Sequence, residues 1–194
     1  PADYVVPPTA CIIQEELGLP ETCLSIEIKH GCSGWVVGLN SAASLIMGGC
    51  LKRALLLCGD TSTLLHSPFD KETRPLFGDA GSCTALEFDT IASTLEFEHG
   101  TRGKDFKSIY TPVGGCRNAV TAKDLEFIEY GPNQLRRNID CTMDGMNVFA
   151  FGMSVAPKSV KRLAEKYVLN LEQMDYLFLH QANHYMNEKI RKKL

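Results

Sequence analysis

The chain of 194 residues is 44% hydrophobic, which is enough apolar material to bury one substantial core or two small ones. Its formal net charge of -3 gives no reason to expect nucleic acid as the main partner. No apolar run approaches the length of a membrane span and no signal-peptide pattern opens the chain, so we expect a cytoplasmic protein that does not act at a membrane.

Eight cysteines are scattered along the chain. They form no Cys-x-x-Cys pair and no paired Cys/His ligand spacing, which argues against a zinc site. The pattern instead favours free thiols in a reducing compartment. We therefore expect no bound metal.

The first elements alternate between helix and strand. Thr9 can cap a short helix over residues 10–17, which Gly18 closes. Residues 24–29 alternate apolar and polar side chains, as a strand does, and residues 53–58 form an apolar run typical of a parallel strand covered on both faces. A strand, a helix and a strand in this order predict a right-handed crossover in an α/β sheet.

Cys32 lies where the first of these strands meets the helix, which is predicted to end at Gly48. Unpaired N–H groups and the positive end of the helix dipole favour a thiolate there, so Cys32 is a candidate nucleophile. Its small neighbours Gly31, Ser33 and Gly34 leave room for a ligand. The alternative is a structural role, because a free cysteine is usually a small buried hydrophobe.

The middle of the chain contains more polar and irregular sequence. Residues 61–75 predict a surface excursion, and a glycine-punctuated turn over residues 76–82 leads into a strand over residues 83–88. Residues 91–97 predict a further strand. The turn lacks the glycine spacing of a phosphate-binding loop. The polar stretch up to residue 140 is long enough to separate two halves.

In the last part of the chain, as at Cys32, a candidate reactive side chain follows a predicted strand. Residues 143–167 predict helical structure, which Pro157 should kink or break into two helices. Residues 176–179 predict a short buried strand that ends in His180, and residues 185–194 can be helical again. His180 is a candidate site residue, although a histidine in this setting can equally be a hydrogen-bonded core residue. The other four histidines show no arrangement typical of a site.

Three stretches follow one another along the chain in an order that is typical of a known family. They are Gly31-Cys32-Ser33-Gly34 in a strand-to-helix turn, then residues 77–81 (FGDAG), then His180-Gln181-Ala182-Asn183 after an apolar strand. Together they resemble the thiolase-fold condensing enzymes, specifically 3-oxoacyl-(acyl-carrier-protein) synthase III. The resemblance runs from about Tyr4 to the end of the chain and is weakest around residues 98–140.

The resemblance implies an α/β fold of the thiolase type, duplicated and layered α-β-α-β-α, of which this chain would be an incomplete central portion. Residues 1–98 would be the latter part of the N-terminal half, with the nucleophilic cysteine. Residues 99–140 would be an irregular connection, and residues 141–194 the first part of the C-terminal half, with the catalytic histidine.

The same resemblance implies an acyltransferase of fatty-acid biosynthesis that works as a homodimer. Cys32 would accept an acyl group from acyl-CoA, and His180 would hydrogen-bond the malonyl thioester carried on acyl carrier protein during decarboxylative Claisen condensation. Substrate or carrier-protein contacts would come from Gln181, Ala182, Asn183, Gly31 and Gly78. No metal or bound cofactor would be needed, since acyl-CoA and malonyl-acyl carrier protein are substrates.

Some features depart from the family's pattern. The family's catalytic asparagine lies beyond residue 194, so we expect the present chain to be an excised fragment that is inactive alone. Tyr185 stands where an arginine is common, and Lys29-His30 replaces small residues before the nucleophile. These departures leave open a specialised synthase of a secondary-product pathway, or a catalytically silent partner with the same fold. A cysteine hydrolase is disfavoured, because its nucleophile elbow needs glycine where His30 stands.

Overall fold

The structure, a computed structural model, describes residues 2–194. The chain is mixed α/β and forms two compact units. The first unit comprises the residues up to 61 together with residues 80–93. The second unit comprises residues 62–79 and 94–194.

Two helices of the first unit lie where the sequence predicts them. Helix α1 spans Thr9–Glu16 and helix α2 spans Gly34–Met47. Gly18 follows α1 with a φ of +61°, a left-handed conformation that glycine adopts without strain. The prediction of Thr9 as the cap is wrong: Pro8 is the N-cap residue, and the Thr9 hydroxyl accepts a hydrogen bond from the Asp3 amide instead.

The first unit also contains a two-stranded sheet of β1 (Arg53–Thr61) and β2 (Asp79–Glu87). The Phe88 amide bonds to the Lys52 carbonyl, and the Ser82 hydroxyl bonds to the Cys58 carbonyl. Because these partners run in opposite order along the chain, the two strands are antiparallel. The expected glycine turn is shorter than predicted, since residues 79–82 already belong to β2.

Strand β1 is covered on one face only in the described residues. Its first seven side chains alternate between exposed and half-buried, and Leu56 packs closely against Gly38 of α2, whereas Leu55 and Leu57 are exposed. The expectation of a parallel strand covered on both faces is therefore wrong here. A continuous apolar run does not distinguish one covered face from two.

The second unit has two small antiparallel sheets. Strand β3 (Ile109–Tyr110) pairs with β6 (Thr142–Met143), and β4 (Ile128–Gly131) pairs with β5 (Gln134–Arg136) as a hairpin. Three predicted strands, over residues 24–29, 91–97 and 176–179, have no strand structure. A strand needs ladder partners as well as a suitable sequence, and no described residue provides them for these segments.

Helices α3 (Gly145–Tyr167) and α4 (His184–Arg191) pack together in the second unit. Met186 is buried close to Gly152, where a Cβ atom would clash with the Met186 Cε. A glycine at this position therefore lets the two helices approach. Ala164 and Ile190 are also buried on these helices.

Of the kink or break predicted at Pro157, the break is wrong, because α3 continues through that residue, and the kink stays a prediction. A proline lacks the N–H that would bond to the carbonyl four residues earlier, which here belongs to Met153. The Lys193 ammonium donates to this carbonyl at 3.0 Å. A side chain beyond α4 thus satisfies the acceptor that the proline frees.

Candidate active site

Cys32 lies in a tight turn that leads directly into α2. The Gly34 amide donates to the Gly31 carbonyl at 2.7 Å and closes this turn around Cys32. Cys32 is exposed, and a Cβ atom at Gly31 would meet no atom within 4 Å. The thiol is therefore reachable, with open space beside it for an incoming group.

The start of α2 has no side-chain cap. Ser33 is the N-cap residue, but its hydroxyl makes no capping bond and instead lies 2.9 Å from His30 Nδ1. The Ser33 carbonyl accepts the first α-helical bond, from the Val37 amide. The first-turn amides of α2 thus have no side-chain acceptor from Ser33, which keeps this positive end of the helix suited to an anion.

The first turn of α2 is anchored to the sheet of the first unit. Trp35 Nε1 donates to the Thr84 hydroxyl of β2 at 3.0 Å. Further along α2, a Cβ at Gly38 would lie 2.5 Å from Leu56 Cδ1, so the helix backbone lies directly on β1. These contacts fix the end of α2 at which Cys32 lies.

His180 lies in the second unit, in an exposed turn before α4. The Ala182 amide donates to the His180 carbonyl at 2.9 Å, and Gln181 Nε2 donates to the Leu179 carbonyl at 2.8 Å. Asn183 Oδ1 caps α4 by accepting from the Met186 amide at 2.8 Å. The Gln181 and Asn183 side chains therefore shape the local turn, and the His180 side chain is exposed to solvent.

Gly78 also lies in the second unit, just before β2. It is exposed, and a Cβ atom there would meet no atom within 4 Å. The following residue, Asp79, accepts hydrogen bonds from the Thr63 hydroxyl at 2.6 Å and from its amide at 2.8 Å. These bonds hold the pKa of Asp79 below its ordinary value. Asp79 therefore joins the two ends of the segment over residues 62–79 by hydrogen bonds to Thr63.

Sequence reasoning missed a polar network that begins within residues 61–75, the segment predicted to be a surface excursion. Asp70 is fully buried and lies 2.7 Å from Arg136 Nε of β5. It also accepts from the Thr73 hydroxyl and from the Glu72 amide. Burial raises the pKa of Asp70, but these hydrogen bonds outweigh burial and lower the pKa to about 2.

Arg136 completes this network from the other side. Its guanidinium also lies 2.8 Å from the Glu72 carboxylate and 4.2 Å from the centre of the Tyr130 ring. Next to it, Arg137 bonds to the buried carboxylate of Asp140 at 2.7 Å. The notable Arg-Arg pair was visible in the sequence, but no pattern there indicates its acidic partners.

His66 is a second buried group that the sequence did not single out. It is only 4% exposed, and its ring stacks on Phe77 at 4.2 Å. Burial lowers the pKa of His66, with nearby charges adjusting it in both directions. This histidine therefore belongs to the packing of the excursion rather than to an exposed site.

The structure places the predicted site residues in both units. Gly31 and Cys32 belong to the first unit, whereas Gly78 and the stretch from His180 to Asn183 belong to the second. The convergence of Cys32 and His180 on one pocket stays a prediction.

Within residues 2–194, no three His, Cys, Asp or Glu side chains are grouped in a way that could hold a metal ion. None of the helices in that range combines the length and hydrophobicity that crossing a bilayer requires.

Comparison with known proteins identifies relatives of the chain. The sequence model of the family 3-oxoacyl-[acyl-carrier-protein (ACP)] synthase III matches residues 26–103, which include Cys32 and Gly78. The beta-ketoacyl-[acyl-carrier-protein] synthase III of Fusobacterium nucleatum is 30% identical over 199 residues, covering 100% of this chain and 56% of the relative. The chain thus spans about half the length of the curated relatives it matches.

Solved structures agree with this assignment. A crystal structure of a 3-oxoacyl-(acyl-carrier-protein) synthase III superposes with a TM-score of 0.92 at 32% identity, over 99% of this chain and 58% of that one. The 3-oxoacyl-(acyl-carrier protein) synthase from Burkholderia xenovorans LB400 gives a TM-score of 0.81 at 33% identity, over 99% and 53%. The chain has the α/β thiolase-type fold of these condensing enzymes and belongs to the 3-oxoacyl-(acyl-carrier-protein) synthase III family.

Proposed function

We propose that the full-length protein is an acyltransferase that condenses an acyl-CoA primer with malonyl-acyl carrier protein and forms a 3-oxoacyl-acyl carrier protein. The observation that carries this proposal is the setting of Cys32, an exposed thiol in an open turn at the uncapped start of α2. A family of condensing enzymes uses a cysteine in such a turn, and the sequence around Cys32 matches that family.

In the first step of the proposed reaction, the Cys32 thiolate attacks the acyl-CoA carbonyl. The bond to the CoA sulfur breaks, and CoA leaves as a thiolate that takes up a proton. The positive end of α2 stabilises the negative charge that develops near Cys32. A covalent acyl-enzyme splits one difficult carbon–carbon bond formation into two easier steps.

In the second step, His180 donates a hydrogen bond to the thioester carbonyl of malonyl-acyl carrier protein. Loss of CO₂ leaves an enolate, whose carbon attacks the acyl-cysteine and releases the Cys32 thiolate. A donor placed at the developing enolate oxygen lowers this barrier. The substrate also contacts Gln181, Ala182 and Asn183. It contacts Gly31 and Gly78 as well, where the absence of a side chain leaves room for it.

The wider setting belongs to the same proposal. Residues 1–98 and 141–194 come from the two halves of a duplicated fold, with residues 99–140 connecting them, and the full-length protein works as a homodimer in fatty-acid biosynthesis. It needs no bound cofactor, since both acyl groups arrive as thioesters. All eight cysteines are free thiols, which fits the reducing cytoplasm.

A panel of acyl-CoAs tests the first step. Intact-protein mass spectrometry of the full-length protein should show one acyl adduct, which Cys32→Ala abolishes. Cys50→Ala is the matched control, because Cys50 is an exposed cysteine that follows the opposite end of the same helix. An adduct that survives Cys32→Ala, or no adduct with any acyl-CoA, would contradict the proposal.

A second assay separates His180 from Cys32. His180→Ala should leave acylation of Cys32 intact while malonyl-dependent release of CO₂ falls by about a hundredfold or more, the usual effect of removing one oxyanion donor. Unchanged CO₂ release would remove His180 from the mechanism.

A further inference from the structure

His30 is the unusual neighbour of the candidate nucleophile. It precedes Cys32 by two residues, and its Nδ1 lies 2.9 Å from the Ser33 hydroxyl, immediately after Cys32. The Gly34 Cα lies beside the same histidine, since a Cβ atom there would be 3.7 Å from the His30 Cβ. A side-chain hydrogen bond therefore spans the turn that carries the thiol.

This bond determines what the Ser33 hydroxyl does. A serine at an N-cap position ordinarily accepts a hydrogen bond from an amide of the first helical turn. Ser33 does not, because its backbone has φ −91° and ψ 7°, outside the extended region that favours capping, and its hydroxyl is engaged by His30. The amides at the start of α2 are thereby left for another acceptor.

We propose that His30 is a positioning residue for Cys32: through Ser33 it fixes the turn in the form that presents the thiol to the uncapped start of α2. Without the bond to His30, the turn over residues 31–34 loses a side-chain restraint, and the thiol spends less time in the position from which it can attack. This inference rests on the proposed function, in which Cys32 is the acylated residue.

The Trp35–Thr84 hydrogen bond restrains the other side of the same turn. It anchors the first helical residues to β2, so the backbone after Cys32 has little freedom. The segment before Cys32 has no strand ladder, and its side-chain anchor lies farther from the thiol, at Glu27, whose carboxylate accepts a hydrogen bond from the Thr9 amide at 2.7 Å. The His30–Ser33 bond is thus the side-chain restraint that acts directly on the turn.

The test measures acylation of Cys32 in the full-length protein as a function of acyl-CoA concentration. His30→Ala should lower the maximal acylation rate by about fivefold, the change that corresponds to the net free energy of one hydrogen bond. The acyl-CoA concentration that gives half of the maximal rate should stay unchanged. His30→Asn should restore the rate to within about twofold, because its amide places a polar atom where Nδ1 was. His99→Ala, which changes an exposed histidine of the second unit, is the control that should have no effect.

Ser33→Ala sharpens this test by removing the other partner. If the two side chains act through one bond, the His30→Ala/Ser33→Ala double variant should be no slower than the slower single variant. Effects that multiply, a change only in half-saturation, or equal rates for His30→Ala and the wild type would overturn the proposal. Thermal unfolding of each variant shows that the change is not a loss of folding.

The rate of alkylation of Cys32 by iodoacetamide separates this inference from the proposed function. If no acyl-CoA acylates the wild type, the acyltransferase proposal fails. The same ordering of alkylation rates, with His30→Ala below His30→Asn and the wild type, still supports the positioning role. Equal alkylation rates would overturn it.

Discussion

The Cys32 turn and the Asp70–Arg136 network show two opposite ways of holding a functional or structural side chain. The turn is exposed, and one side-chain bond, between His30 and Ser33, spans it. Asp70 is buried and accepts bonds from a guanidinium, a hydroxyl and backbone amides. A reactive thiol must stay reachable, so it tolerates few partners, whereas a buried carboxylate must have all its hydrogen bonds satisfied.

The largest expected effect tests the buried side of this comparison. Arg136→Met leaves Asp70 buried without its charged partner, so we expect the free energy of unfolding to fall by about 3–5 kcal/mol. Urea unfolding of the full-length protein measures this change. Arg117→Met, which removes an exposed arginine, is the control and should change stability by about 0.5 kcal/mol or less. Equal losses in the two variants would show that the network contributes little.

Acid unfolding gives the next largest effect. The pKa of Asp70 is about 2 when folded, below its ordinary 3.8, so its contribution is complete above about pH 5 and is lost as the pH falls toward 2. Between these pH values the wild type should lose about 2 kcal/mol more stability than Asp70→Asn, where this titration is absent.

The exposed Asp79 sharpens the acid experiment. Hydrogen bonds from Thr63 also lower its pKa, but solvent screens this site, so Asp79→Asn should change the acid slope less than Asp70→Asn does. A larger change for Asp79→Asn would mean that burial is not what distinguishes the two carboxylates.

The smallest expected effect concerns the exposed hydrogen bond from Lys193 to the Met153 carbonyl, which replaces the helical bond that Pro157 cannot donate. Lys193→Met removes the donor to the Met153 carbonyl, which Pro157 leaves without its helical partner. We expect a loss of about 1 kcal/mol in unfolding free energy, measured by thermal unfolding. Lys192→Met is the neighbouring control and should be close to neutral.

A Pro157→Ala background tests the assigned cause. Alanine restores the helical N–H, so Lys193→Met should then cost less than it does beside proline. The same loss in both backgrounds would show that the lysine acts elsewhere.

Local sequence signals predicted the helices and the position of Cys32. Helix α2 begins two residues after Cys32 and ends before Gly48, because helical periodicity and a glycine stop are properties of the segment itself. The HQAN stretch was also found locally, although the Asn183 side chain turned out to cap α4.

The features that the sequence did not predict depend on distant partners. Asp70 and Arg136 are 66 residues apart, and Lys193 lies 40 residues from Met153, so no short window contains either pair. The strands expected over residues 24–29 and 176–179 also depend on pairing that no short window shows, and no described residue pairs with them in a ladder.

The most direct test of the central claim is a crystal structure of the full-length protein with Cys32 acylated. We expect the Cys32 sulfur and the His180 imidazole to face one cavity, close enough for a single thioester to touch both, with the acyl oxygen at the start of α2. This expectation would be contradicted if the two side chains lay in separate cavities, or if the sulfur were buried with no room beside it for a thioester.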